Sequence, residues 1–177
     1  MKDKKNIVFV SISNDLYGSS KVLLSLVLKM KKESSDFYPI VCLPIEEGPL
    51  KEVLMENDIK IIEMPIVKLT RSMLRFFKIF SILKEYFKAK KIFKRETLGK
   101  EIACIHSNTL ATLFGSFFCV FNKPKHIIHV HEIMDRPWFV KYFFATIMLL
   151  FSNKIVYNSF ATEKFFNKTC PLLKKNQ

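Results

Sequence analysis

The stretch Lys125-His126-Ile127-Ile128-His129-Val130-His131-Glu132 decides how this chain reads. It is a short apolar run that turns polar at its C-terminal end. A second stretch, Ile102-Ala103-Cys104-Ile105-His106-Ser107-Asn108, has the same form, and a helix-like segment follows each. Continuous apolar runs of this length, bounded by polar residues, read as strands buried on both faces. In an open parallel sheet the ligand crevice lies outside the carboxyl ends of the strands. Polar residues gathered at those ends mark a candidate site, whereas in mid-strand they would only be a packing problem.

Working outward, Ile7 to Ser13 reads as a first strand, followed by a polar loop over 14–20. Residues 21–32 then carry Val22, Leu23, Leu26, Val27 and Met30 at helical spacing. Residues 38–43 and 59–64 read as the second and third strands, with a short helix between them opened by Gly48-Pro49. A long helix is expected over 71–95, with Gly99 beyond its end. Strand four is placed at 102–106 with its helix at 109–121, which Asn122-Lys123-Pro124 breaks. Strand five is placed at 126–131, a helix at 138–151, strand six at 154–157 and a last helix at 160–167. Strand and helix alternate throughout. That order predicts an α/β fold: a doubly wound, mostly parallel Rossmann-like sheet of about six strands with helices on both faces. Residues 1–168 are expected to form this one domain, with 169–177 a frayed or truncated tail.

Composition narrows the classes. Apolar residues make up 49% of the 177, enough for a substantial core and too many for a disordered chain. Cys42, Cys104, Cys119 and Cys170 show no CxxC spacing and read as reduced, mostly buried hydrophobes. Met1-Lys-Asp-Lys-Lys leads straight into a strand rather than a helical signal segment, which implies a cytoplasmic chain and an idle Asn167-Lys-Thr169 sequon. The longest apolar stretch, 138–151, contains Lys141 and falls short of the about 20 residues a bilayer span needs.

Three loops are expected to converge at the carboxyl edge. The first contains Tyr17-Gly18-Ser19-Ser20 just before a helix, where free backbone N–H groups favour an anion such as a phosphate. An ordinary N-cap by Ser19 or Ser20 is the plainer alternative. The other loops carry His106, Ser107 and Asn108, and His131, Glu132 and Asp135. His131, at its strand's end, is the catalytic candidate: a histidine there can bond a sugar hydroxyl or act as an acid or base near neutral pH. His129, inside the strand, reads as a hydrogen-bonded core residue. A metal on His126, His129, His131 and Glu132 is disfavoured. The strand aims His126 at the opposite face, and no cysteine pair completes a closed site.

The net charge of +13 is concentrated. Residues 71–100 hold ten basic residues against Glu85 and Glu96. Within the long helix, Met73, Phe76, Phe80, Leu83 and Phe87 form an apolar stripe, broadened by Phe77, Ile79, Tyr86 and Phe93. Arg75, Lys78, Lys84, Lys88, Lys91 and Arg95 lie elsewhere around it. Aromatics beside a polybasic face fit an anionic membrane surface, at about 1 kcal/mol per basic residue. A core-packing helix with a solvated basic side has the same pattern. No nucleic-acid motif accompanies the charge.

Four stretches in this order resemble the N-terminal domain of GT-B glycosyltransferases, most closely the family 4 (glycosyl transferase group 1) type. They are Asn6–Ser13 with Tyr17–Leu26, Ile105-His-Ser-Asn108, His129-Val-His-Glu132 and Lys154–Thr162. The resemblance implies an acceptor-binding domain of an enzyme that moves a sugar from a nucleotide-sugar donor, with retention, onto a glycan or lipid-linked acceptor. It implies surface polysaccharide synthesis at the inner face of a membrane. It also implies that the nucleotide-sugar is a substrate and that no cofactor is used. Tyr17, Gly18 and Ser19 would face the donor diphosphate, His131 the reacting sugar, and His106, Ser107, Asn108 and Glu132 would line the cleft. Two departures stand out. The family's paired glycine is here Tyr17-Gly18, and its second, nucleotide-binding domain does not follow within these residues. The chain alone is therefore expected to be inactive. A non-catalytic membrane-surface module, or an inactive truncated remnant, is the alternative.

Overall fold

A computed structural model describes residues 5–66 and 79–177. Six strands form one all-parallel sheet: β1 (Lys5–Val10), β2 (Phe37–Leu43), β3 (Lys60–Glu63), β4 (Ile102–Ser107), β5 (Lys125–Val130) and β6 (Lys154–Tyr157). Their order across the sheet is β3-β2-β1-β4-β5-β6. The helices are α1 (Gly18–Glu33), α2 (Pro49–Glu56), α3 (Ile79–Glu96), α4 (Phe114–Asn122), α5 (Trp138–Phe151) and α6 (Phe160–Thr169). The expected α/β Rossmann-like class is what is observed.

Side chains alternate between the two faces of each strand, and the core divides accordingly. Val8, Val10, Ile40, Cys42 and Ile105 pack under α3 and α4, and Ile128, Val130 and Ile155 under α5 and α6. Phe9, Val41 and Leu43 face the other way, onto Leu23 and Val27 of α1 and Leu50 and Leu54 of α2. The cysteines are free, and burial pushes the Cys42 and Cys104 thiols up, Cys104 to about 11.

Several element boundaries differ from the sequence reading, each for a local reason. β1 stops at Val10, because the Ser11 hydroxyl donates to the Ser13 carbonyl at 2.9 Å and turns the chain. The fourth helix begins at Phe114 rather than 109. Thr109 Oγ1 accepts from the Ala111 N–H and Thr112 Oγ1 from the Phe114 N–H, so side chains take the bonds a helix would need. The expected tail does not fray. Residues 171–176 form a 3-10 turn, Leu173 is fully buried among α5 and α6, and the Gln177 side chain donates to Asn167 Oδ1 at 2.8 Å.

The long helix divides the broad apolar face read from the sequence between core and surface. Tyr86, Ala89 and Phe93 face the core, with Phe93 edge-on to Phe114 at 5.3 Å and to Phe118 at 4.9 Å. Phe80, Leu83 and Phe87 face outward. Met73, Arg75, Phe76, Phe77 and Lys78 lie outside the described residues. Among the described residues, no helix is long and apolar enough to cross a membrane.

Candidate functional site

The sheet's switch point lies between β1 and β4, where successive connections diverge. This is where a doubly wound sheet opens a crevice. Asn108 ties the two sides of the junction together. Its backbone N–H donates to the Val10 carbonyl at 3.0 Å, and its side-chain Nδ2 donates to the Ser19 carbonyl at 2.9 Å. The residue is buried, and its Oδ1 has no partner among the described residues.

The chain enters α1 through Tyr17 and Gly18. Gly18 has a φ of +33°, and a Cβ built there would meet no atom within 4 Å, so the space above the loop is open. Tyr17 is the N-cap and is exposed. Among the described residues no side chain caps the helix, so the N-cap role considered for Ser19 or Ser20 is not taken up. Ser20 is buried and pairs with the Ser13 hydroxyl at 3.3 Å. The Ser20 N–H donates to the Tyr17 carbonyl at 2.8 Å, and a helix start left without a side-chain cap favours negative charge. Asp15 Oδ1 accepts from the Tyr17 N–H at 3.0 Å.

The third loop supplies the other corner. His131 follows the end of β5, half-buried, and its N–H donates to Glu132 Oε2 at 3.0 Å. The other Glu132 oxygen accepts from the Thr109 hydroxyl. Asn158, after β6, donates to the His131 carbonyl at 3.3 Å. Loops from β4, β5 and β6 are therefore tied together around His131. Its ring Nε2 is buried without a partner among the described residues.

Behind His131 the imidazoles form a row on one face of the sheet. The rings of His131 and His129 are 4.1 Å apart, those of His129 and His106 5.5 Å, and Phe9 closes the row 5.1 Å from His106. Burial pulls His106 down to about 3, helped by the neighbouring imidazoles, and pulls His129 down to about 4. It also lowers His131, against the pull of Glu132. Neutral imidazoles each carry one donor and one acceptor, so the row suits hydroxyl groups rather than anions. His129 is buried as expected, but its Nδ1 finds no partner among the described residues, and neither does that of His106.

Ser107 differs from the expectation. It points to the opposite face, where its hydroxyl lies 2.9 Å from His126 Nε2, in a pocket covered by Gly115. His126 Nδ1 sits 2.5 Å from the Phe151 carbonyl, which can only accept. The proton is therefore on Nδ1, and Ser107 donates to Nε2. Burial holds this ring neutral, down to about 4. His126 and Ser107 are thus structural partners. Among the described residues, no group of three or more histidines, cysteines or carboxylates could hold a metal ion.

Asn14 and Thr109 bound two of the loops expected to converge here, but the sequence reading gave neither a role. Asn14 Nδ2 donates to the Glu46 carbonyl at 2.7 Å, and its Oδ1 accepts from the Lys51 N–H at 2.8 Å. It thereby caps α2 from a distant loop, which no local spacing announces.

Of the expected basic surface, Lys84, Lys88, Lys91 and Arg95 are exposed on α3, with Lys88 paired to Glu85 at 2.8 Å and Arg95 to Glu96 at 3.2 Å. Arg75 and Lys78 lie outside the described residues.

No family profile matches the chain, and no curated protein matches it in sequence. The fold aligns with the crystal structure of Arabidopsis thaliana UGT89C1 in complex with UDP-L-rhamnose, at a TM-score of 0.55 and 12% identity. The alignment covers 99% of this chain and 51% of that one, so the chain spans about half the length of its structural neighbour. The fold is glycosyltransferase-like.

Proposed function

We propose that this domain is the acceptor-side half of a glycosyltransferase of the family 4 type. It works with a second, nucleotide-binding domain to move a sugar from a nucleotide-sugar onto a glycan or lipid-linked acceptor. One observation carries the reading. Asn108 after β4 and His131 after β5 each keep a buried polar atom without a partner among the described residues, and the uncapped start of α1 follows β1, so all three stand after the carboxyl ends of adjacent strands of a glycosyltransferase-like sheet. That grouping offers an anion position beside a hydroxyl position, which is what a sugar diphosphate presents.

In this reading the Gly18 and Ser19 N–H groups meet the diphosphate, and Asn108 holds them in place through Ser19. His131 bonds a hydroxyl of the transferred sugar, while Thr109 and Glu132 fix its loop. Charge developing on the leaving diphosphate needs more donors than one uncapped turn supplies. Those donors are assigned to the second domain, so this domain alone does not turn over. Exposed Tyr17, Ile133, Trp138 and Phe160 all follow the carboxyl ends of strands. They give the site an apolar collar suited to an acceptor with a lipid part.

The test is calorimetric titration with UDP-sugars, with this chain alone and with a candidate nucleotide-binding partner, alongside a transfer assay. Binding and transfer only with the partner are expected. Transfer by the chain alone would overturn the division of labour, and no binding in either case would overturn the enzyme.

A second reading, a peripheral module at the inner face of a membrane, is favoured by the outward Phe80, Leu83 and Phe87 beside Lys84 and Lys91. The two readings are compatible, since an acceptor anchored in lipid requires an enzyme at that surface.

A further inference from the structure

His131 stands one residue past the end of β5, on the same face as His129. A histidine that offers one ring nitrogen to a ligand commonly has its ring oriented through the other by a carboxylate or a carbonyl. The adjacent carboxylate is used differently here. Glu132 accepts from the His131 backbone N–H at 3.0 Å and from the Thr109 hydroxyl, so it holds the loop. What lies against the His131 ring is the His129 ring, with centroids 4.1 Å apart and planes inclined by 37°. His129 is only 6% exposed, and His106 and then Phe9 continue the row behind it at 5.5 and 5.1 Å. Phe9 stands opposite His106 in register, and His129 opposite Val156, so strands β1, β4, β5 and β6 all back the row.

Such a row holds charge poorly. Neighbouring imidazolium ions at these separations repel, and burial deprives both of water. The titratable groups that bear on the row among the described residues are its own three rings, His126 from the other face of β5, and Glu132. Glu132 is the acidic one, and it adjoins His131. Burial lowers all three rings, and a charge on His131 lowers His129 further. The first proton to enter the row therefore goes to His131, where it opposes a second on His129.

We propose that His129 is a positioning residue for His131: its ring, backed by His106 and Phe9, is the wall that fixes the His131 imidazole and shields it from water, so that the site presents a single uncharged imidazole to a hydroxyl. The assignment rests on the reading of His131 as the histidine that bonds the sugar. The packing it invokes is a property of this chain alone and is measured without sugar transfer.

The measurement is the pH titration of the histidine Cε1–H signals by NMR, on the native chain and three variants. In the native chain His131 should titrate below the ordinary 6.5, and His129 only after it. His129→Phe keeps a ring against His131 and should leave the His131 midpoint in place to within about 0.2 units. His129→Ala removes the wall, and the midpoint should rise by about half a unit as water reaches the ring. His131→Phe should raise the His129 midpoint, because the neighbouring charge is gone. With a nucleotide-binding partner present, the acid limb of sugar transfer should follow His131, staying put in His129→Phe and moving up in His129→Ala. A merely structural loss would lower the rate without moving that limb. An unmoved His131 midpoint in a folded His129→Ala chain would overturn the proposal. So would an unmoved His129 midpoint in His131→Phe, which decides the matter if His129→Ala does not fold. Titrations as expected without sugar transfer would overturn the proposed function and leave the His129–His131 packing standing.

Discussion

Asn108 Nδ2 donates to the Ser19 carbonyl at 2.9 Å, across 89 residues of chain, and so ties the end of β4 to the first turn of α1. The bond sets where the uncapped helix start sits relative to the β4 loop. Asn108→Ala leaves the Ser19 carbonyl without this donor in a part-buried junction, which costs about 1 kcal/mol. Urea unfolding should show a lower midpoint at an unchanged slope. If the bond also positions the anion site, nucleotide-sugar binding in the presence of the partner domain falls further than the stability change explains. A variant that loses stability but binds donor normally would confine Asn108 to a structural role.

Acid should loosen the molecule through its histidines before its carboxylates titrate. His126 is held neutral down to about 4, His129 to about 4 and His106 to about 3, against 6.5 for an unburied imidazole. Their folded values lie below the unfolded ones. Below pH 6.5 the unfolded chain therefore takes up protons that the folded chain does not. The stability is complete above pH 6.5 and falls as pH drops toward 4, by up to about 1.4 kcal/mol per pH unit for each group. Urea midpoints between pH 7 and 5 measure it. His126→Gln keeps a donor for Phe151 and an acceptor for Ser107, and should flatten the slope by about one proton. An unchanged slope in that variant would show that His126 does not carry its share.

Much of this was legible in the sequence because apolar runs and their polar ends are local signals. The six strands, the parallel class and the three converging loops all follow from them. Whatever depended on side chains reaching across the fold was not legible. Ser107 and His126 read as separate features of two strands, yet they are partners because β4 and β5 are neighbours in register, with Ser107 opposite Ile128. Asn14 looked like ordinary loop, although it caps α2. The long helix carried too many aromatics for spacing alone to say which stripe turns inward. Only its packing against Phe114 and Phe118 decides for Phe93.

Gly115 is required by close approach rather than by backbone conformation. A Cβ there would lie 2.4 Å from Ser107 Oγ and 2.5 Å from His126 Nε2. In an exposed helix Gly→Ala would gain up to about 1 kcal/mol. Here the added methyl must push apart a buried hydrogen bond, and overpacking of this kind costs about 1–3 kcal/mol. Gly115→Ala is therefore expected to destabilise despite its better propensity. Ser107→Ala in the same chain removes one of the two clashing atoms and should recover part of the loss. Thermal unfolding of the single and double variants measures the coupling. A neutral or stabilising Gly115→Ala would show that β4 and α4 can part without cost.

The outward stripe of α3 separates surface function from packing. Phe80 is 89% exposed and Phe87 60%, while Phe93 on the same helix is fully buried. Exposed positions contribute little to stability, so Phe80→Ser with Phe87→Ser should change it by within about 0.5 kcal/mol. Phe93→Ala should cost about 3–5 kcal/mol, because it opens a cavity between Phe114 and Phe118. If the stripe meets a membrane, the double serine variant loses sedimentation with vesicles containing anionic lipid. Neutralising Lys84 and Lys91 should weaken that binding in a salt-dependent way, since exposed charges act through a screened field. Vesicle binding untouched by both sets of changes would remove the stripe from the membrane contact. A large stability loss in the serine variant would mean that Phe80 and Phe87 pack against part of this protein rather than against lipid.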